Sequence, residues 1–100
     1  MKETTIAVLS HTVKEFESYV KDIYLWLPDD KSMVIEPGRL YITIEHPAGC
    51  GRKYICIQRI EHLRGIEFDD VEKTKHSYLL KDFGKLYQEA ISRTKIETTQ

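Results

Sequence analysis

The chain has 100 residues, 41% of them hydrophobic and 31% charged, which is enough for one hydrophobic core but not for two. Its 15 Lys and Arg residues nearly balance its 16 Asp and Glu residues, and the net charge of −1 argues against a protein that coats nucleic acid or anionic lipid. We predict one folded domain over residues 1–94 and a frayed tail over residues 95–100.

The sequence also bears on the compartment. The N-terminal residues lack the apolar segment and the small-residue cleavage site of a secretion signal. No apolar stretch approaches the roughly 20 residues that cross a bilayer. Two cysteines, Cys50 and Cys56, are too few to staple a secreted miniprotein, and we expect both to be free thiols. These features predict a cytoplasmic protein without a membrane partner.

The chain opens with a predicted strand and helix. Residues 5–9 are apolar at every position after the first, which is typical of an inner strand covered on both faces. Apolar residues then recur at steps of three and four, which predicts a helix over about residues 12–27. Thr12 and Glu15 have the spacing of a capping box at its start.

A hairpin and a second inner strand follow. Strands at 33–36 and 40–44 flank the turn signal Pro37-Gly38-Arg39. After a loop beginning at His46, residues 54–57 are apolar on both faces and predict another covered strand.

The last third of the chain sets the predicted fold class. A weaker strand near residues 70–74 precedes a second amphipathic helix over about residues 77–94, and the order becomes β-α-β-β-β-(β)-α. Two strands need cover on both faces, and one helix comes early and one late. The prediction is therefore an α/β fold, a Rossmann-like three-layer helix–sheet–helix sandwich, with a two-layer α+β fold as the alternative.

A candidate ligand site lies where the first strand leads into the first helix. Ligands gather at the carboxyl ends of such strands, and a helix start offers unpaired N–H groups to an anion. Residues 46–64 carry a charge of +3, and His46 and His62 add to it below about pH 6.5. If the second inner strand runs parallel to the first, its exit lies at the same sheet edge. The tentative ligand-binding residues are Ser10, His11, Arg59, His62 and Arg64.

Each part of that site also has an ordinary structural interpretation. Ser10 and Thr12 are common helix-capping residues, and scattered arginines are usually solvated surface charges. The glycine-containing loop at residues 46–53 follows no Walker spacing and is typical of a hairpin loop.

Metal binding and catalysis find little support in the residue spacing. Four residues are of the types that bind zinc, namely His46, Cys50, Cys56 and His62. They lack the Cys-x-x-Cys spacing of a zinc knuckle, so we predict neither a metal nor a cofactor. The acidic pairs Asp29-Asp30 and Asp69-Asp70 are typical of turns. No nucleophile, base and orienting acid can be assembled, so no catalytic residue is predicted.

The stretch from Leu40 to Val71 resembles the region before Walker B in P-loop ATPases of the phage terminase and helicase type. It contains a hairpin, an apolar strand and then Glu61-His62-Leu63-Arg64-Gly65-Ile66-Glu67-Phe68-Asp69-Asp70-Val71. It is most similar to small phage-encoded α/β proteins that keep this element without a full ATPase. The resemblance implies that Arg64 and Gly65 shape a sheet-edge turn. The chain departs from the pattern because Ser10-His11-Thr12 stands where a Walker A loop would lie.

The leading functional hypothesis is a small, phage-encoded, non-catalytic domain that binds a protein partner. Aromatic residues suited to an interface lie on the first helix and the hairpin, namely Tyr19, Tyr24, Trp26 and Tyr41. An equal alternative is that Trp26 closes the core and takes no part in an interface. A homodimer through the hairpin edge is a natural form. A nucleotide- or phosphate-binding domain and a single-stranded nucleic-acid binder are the alternatives, and the net charge counts against the latter.

Overall fold

The structure, a computed structural model, describes residues 2–27, 32–35, 41–45 and 50–94. Within these residues the order of elements agrees with the predicted one, and the weaker fifth strand is present. The elements are strand β1 (Lys2–Leu9), helix α1 (Val13–Trp26), strands β2 (Ser32–Ile35), β3 (Tyr41–Glu45) and β4 (Cys50–Ile57), a 3₁₀ helix (Ile60–Leu63), strand β5 (Asp70–Lys73), a 3₁₀ turn (Ser77–Leu79) and helix α2 (Phe83–Ser92).

The five strands form one mixed sheet with the order β2-β3-β4-β1-β5. β1 runs parallel to both of its neighbours, β4 and β5, while β3 runs antiparallel to both of its neighbours, β2 and β4. The predicted hairpin is therefore confirmed in its strands. Its turn at residues 37–39 lies outside the described residues, as do the predicted turn at 28–31, most of the loop that begins at His46, and the tail over residues 95–100.

Alternate residues of β1 separate two hydrophobic clusters on opposite faces of the sheet. Ile6 and Val8 belong to a first cluster, to which α1 contributes Phe16 and Val20. Ala7 and Leu9 belong to a second cluster, to which α2 contributes Leu86 and Ala90. Because successive side chains of a strand point to opposite faces, the two helices cover different faces. The predicted three-layer sandwich is confirmed.

Helix α1 begins as its sequence predicts. The Thr12 hydroxyl accepts a hydrogen bond from the Glu15 backbone N–H at 3.0 Å, and Thr12 itself is extended. Only this half of the predicted capping box forms, because the Glu15 carboxylate accepts from the His11 N–H, one residue before the cap.

Helix α2 begins six residues later than predicted. Its apolar spacing starts near residue 77, but Ser77 to Leu79 form a 3₁₀ turn in which the Ser77 hydroxyl donates to the Thr74 carbonyl at 2.8 Å. Asp82 then takes the left-handed conformation with φ 54°, which stops a right-handed helix from running through it. Leu80 still packs on the second cluster, so its apolar character reflects burial and not helical register.

Candidate functional site

Three parallel strands end at the same edge of the sheet, here called the carboxyl edge. β1 continues into α1 on one face, whereas β4 and β5 continue into segments that pack on the other face through Leu63 and α2. In open α/β sheets, ligands bind outside the carboxyl ends of strands where the connections change face in this way. As predicted, the parallel register of β1 and β4 brings Arg59 to the edge that carries His11, and it leaves Lys53 further back, level with Thr5.

Ser10 lies beneath this edge. Its side chain is fully buried, its hydroxyl donates to the Val8 carbonyl at 3.4 Å, and its N–H donates to the Ile57 carbonyl. The serine therefore completes the pairing between β1 and β4 and presents no atom to a ligand. His11, the next residue, is exposed, and its carbonyl accepts a hydrogen bond from the Gln58 side chain at 3.0 Å.

The His62 side chain is held by hydrogen bonds from Gln58 and Arg59. Its Nδ1 accepts a hydrogen bond from the Gln58 backbone N–H at 3.0 Å, and its Nε2 accepts one from the Arg59 Nε–H at 3.4 Å. Both partners are donors, which disfavours the doubly protonated ring. Partial burial, together with the adjacent Arg59 charge, lowers the pKa of His62. His62 therefore gains a positive charge in the folded chain only at a lower pH than its ordinary pKa of 6.5 implies. His46 lies outside the described residues.

Arg64 follows the 3₁₀ helix and lies on the connection that returns from the carboxyl edge to the start of β5. Its backbone N–H donates to the Glu61 carbonyl, and Gly65 beside it has φ 72°, a conformation that favours glycine. The Arg64 side chain is exposed. Of the five tentative ligand residues, Arg59 and His62 are in direct contact through their side chains.

On the β5 side of the carboxyl edge, the Glu15 carboxylate is hydrogen-bonded to three residues. One carboxylate oxygen accepts from the His11 N–H at 3.2 Å and the Thr74 hydroxyl at 2.7 Å. The other accepts from the backbone N–H of His76 at 3.0 Å and lies 2.7 Å from its Nδ1. Burial opposes the charge, but the hydrogen bonds from Thr74 and His76 outweigh it, and the pKa of Glu15 is lowered. Sequence reasoning missed Thr74 and His76, because nothing local relates them to a residue about 60 positions earlier.

A cleft of about 310 Å³ opens on the α2 side of this edge. It lies between the segment that follows β4 and the start of α2, and its walls include two cations and two carboxylates. Its lining residues are Gln58, Arg59, Ile60, Glu61, Lys81, Asp82 and Leu86. Among the predicted ligand residues only Arg59 lines this cleft, and Lys81 and Asp82 line it from a turn that the apolar spacing predicts as part of a helix.

The aromatic residues proposed for an interface have different environments. Tyr19 is partly buried, and its hydroxyl donates to Glu72 of β5 at 2.5 Å. Tyr24 packs on the first cluster, and Tyr41 packs on the second with the Lys53 ammonium 4.3 Å from its ring centre. Trp26, in contrast, is 89% exposed, and Leu25 beside it is 75% exposed. Trp26 therefore does not close the core.

Comparisons of the chain with protein-family profiles, curated proteins and solved structures find no match. Neither helix of the described chain combines the length and apolar content that crossing a membrane requires. Among the residues that the structure describes, no three His, Cys, Asp or Glu side chains are grouped so that they could hold a metal ion.

Proposed function

We propose that this protein binds a protein partner through the C-terminal end of α1. The observation that carries the proposal is the exposure of two adjacent large apolar side chains, Leu25 and Trp26, which we call the α1 patch. Tryptophan is enriched among the residues that dominate binding energy at protein interfaces. Fully burying a side chain such as leucine contributes about 1.5–3 kcal/mol.

The α1 patch stands on a fixed base. The next residue, Leu27, packs on the first cluster, and its N–H donates to the Tyr24 carbonyl at 3.3 Å. Tyr24 packs on the same cluster. Because the chain on both sides of the patch is anchored, the two side chains are presented to a partner at little ordering cost.

The test uses Trp26→Ser and a matched control on the opposite layer. Ile91 of α2 is also an exposed apolar residue, at 45%, and Ile91→Ser removes apolar area without touching the α1 patch. A partner captured from the source organism by the wild-type chain is expected to bind Ile91→Ser with similar affinity and Trp26→Ser at least about tenfold more weakly, the loss typical of a central aromatic anchor. Equal binding by the two variants would contradict the proposal.

A second copy of the chain is one partner that the fold can accept. In the described part of the sheet, β2 pairs with a strand on one side only, and Val34 on it is 45% exposed. An open edge strand can pair with the same strand of another copy around a two-fold axis. Sedimentation of the wild-type chain and of Val34→Lys tests this: a dimer through β2 is lost in the variant, and a wild-type monomer at all concentrations excludes it.

A small anionic ligand in the cleft is a second candidate, which the position of Arg59 and Lys81 on its walls favours. Thermal unfolding in the presence of inorganic phosphate and of nucleoside monophosphates measures it, because a ligand at 100 times its dissociation constant adds about 2.7 kcal/mol. Arg59→Ala is expected to abolish the shift and Arg64→Ala, an exposed arginine outside the cleft, to preserve it. A shift that survives Arg59→Ala would contradict this candidate.

A further inference from the structure

We propose that His76, held by Glu15, is a nucleophilic side chain that accepts an acyl group at its Nε2 from small carboxylic esters. The dyad lies on the β5 side of the carboxyl edge and shares no residue with the α1 patch or the lining of the cleft. The proposal is therefore independent of both functions proposed above.

The Glu15 carboxylate determines the tautomer of His76. Glu15 is ionised at neutral pH, and its carboxylate can only accept hydrogen bonds. Its Oε2 lies 2.7 Å from the Nδ1 of His76, so Nδ1 must carry the proton. In the neutral ring the lone pair then sits on Nε2.

The Glu15 carboxylate also fixes the orientation of the His76 ring. The same Oε2 also accepts the backbone N–H of His76 at 3.0 Å, which ties the ring and its own backbone to one atom. The other oxygen of Glu15 is held by the Thr74 hydroxyl at 2.7 Å, and that hydroxyl lies 3.3 Å from the Leu9 carbonyl at the end of β1. The carboxylate that orients His76 is thus itself fixed to the sheet.

The His76 ring is accessible to a small molecule from solvent. The side chain of His76 is 50% exposed, whereas that of Glu15 is 19% exposed. Among the described residues, none is hydrogen-bonded to Nε2, so the lone pair of this half-exposed ring has no partner there. A carboxylate-oriented imidazole with its second nitrogen free is the arrangement by which histidine acts as a base or nucleophile.

The chemistry balances without a further reagent. Nε2 attacks the acyl carbon, the bond to the leaving oxygen breaks, and the alkoxide or phenoxide departs with the electron pair. The ring becomes an acylimidazolium, which keeps its Nδ1 proton against the Glu15 carboxylate. Water then adds to the acyl carbon, Nε2 leaves with its electron pair, a carboxylic acid is released with a proton to solvent, and the neutral ring is restored.

The test measures release of p-nitrophenolate from p-nitrophenyl acetate by the purified chain. His76→Asn removes the nucleophile, and Lys85→Gln, which removes an exposed nucleophilic amine from α2, is the matched control. We expect His76→Asn to lower the second-order rate by about tenfold or more and Lys85→Gln to leave it within about twofold. Equal rates for the wild type and a folded His76→Asn would overturn the proposal.

A second measurement needs no variant. Nitrogen NMR of the imidazole rings in the wild-type chain assigns the tautomer of each neutral histidine. The proposal requires the Nδ1–H tautomer for His76, and the Nε2–H tautomer would overturn it. Glu15→Gln is expected to release the ring from that tautomer and to lower the rate, which a residue that only stabilised the loop would not do in the folded variant.

Discussion

At the scale of single residues, Glu15 joins parts of the chain that are far apart in sequence. Its position three residues after Thr12 indicates a helix cap, and that role is partly borne out by the hydrogen bond from its N–H to the Thr12 hydroxyl. The carboxylate has a larger role, because it accepts hydrogen bonds from His11, Thr74 and His76 and so connects the exits of β1 and β5. Charge-assisted hydrogen bonds of this kind are about twice as strong as neutral ones.

The first prediction concerns Glu15→Gln. The amide replaces one acceptor oxygen with a donor that faces N–H and O–H groups, so we expect a loss of about 1–3 kcal/mol at pH 7. Because the pKa of Glu15 in the folded chain is below its ordinary value of 4.5, the stabilisation is present above that pH and is lost as the pH falls through the folded value.

Denaturant unfolding at pH 7 and pH 3 measures this difference. The gap between wild type and Glu15→Gln is expected to narrow at pH 3, whereas Glu61→Gln, at an exposed carboxylate, stays within about 0.5 kcal/mol of wild type at both. A difference in unfolding free energy between wild type and Glu15→Gln that is larger at pH 3 than at pH 7 would contradict the lowered pKa of Glu15.

The second prediction concerns His62. Burial and Arg59 lower its pKa in the folded chain, so the unfolded chain binds a proton more readily and the contribution of this residue to stability decreases as the pH falls below 6.5. His62→Asn keeps an acceptor for the Gln58 N–H and removes the titration. Urea unfolding between pH 7.5 and pH 5 is expected to show a smaller loss of stability in the variant, and an equal loss would contradict the prediction.

At the scale of elements, the two helices show where periodicity predicts a boundary and where it does not. The start of α1 carries both an apolar period and a capping residue, and the predicted and observed bounds differ by one residue at each end. The start of α2 has the period but no side-chain cap, and Asp82 there is left-handed. An apolar period predicts which residues are buried, and capping chemistry is needed to predict where a helix starts.

The third prediction concerns this turn. A β-branched side chain in the left-handed region is strained, so Asp82→Val is expected to lose about 1–2 kcal/mol, while Asp82→Asn, whose side chain tolerates that region, stays within about 0.5 kcal/mol. Thermal unfolding measures both variants. Equal stability of Asp82→Val and Asp82→Asn would show that the turn relaxes without cost.

At the scale of the whole molecule, the sheet separates two cores that depend on different helices. Phe16 of α1 is 1% exposed in the first cluster, and Leu86 of α2 is 1% exposed in the second. A sheet with an inner strand between two apolar faces loses water contact only when both faces are covered. Neither helix can therefore be removed without exposing half of β1.

The fourth prediction follows from this arrangement. Phe16→Ala is expected to lose about 3–5 kcal/mol and Leu86→Ala about 2–5 kcal/mol, large parts of the 5–15 kcal/mol typical of a small domain. Val13→Ala, at a partly exposed site of α1, is the control and changes little. Unfolding in urea checks all three, and a Leu86→Ala variant as stable as the control would contradict a structural role for the α2 layer.

The layers of this protein can be predicted from its sequence, because strand burial and helical amphipathicity are local patterns of period two and 3.6. The apolar runs at residues 5–9 and 54–57 predict covered inner strands, and β1 and β4 are neighbours in the sheet. In contrast, the exposure of Trp26 and the contacts of Glu15 with Thr74 and His76 depend on how distant segments pack together. A local pattern predicts whether an element is buried. A site at the carboxyl edge depends instead on which strand ends lie next to each other, and the strand order is set by packing between segments that are distant in the chain.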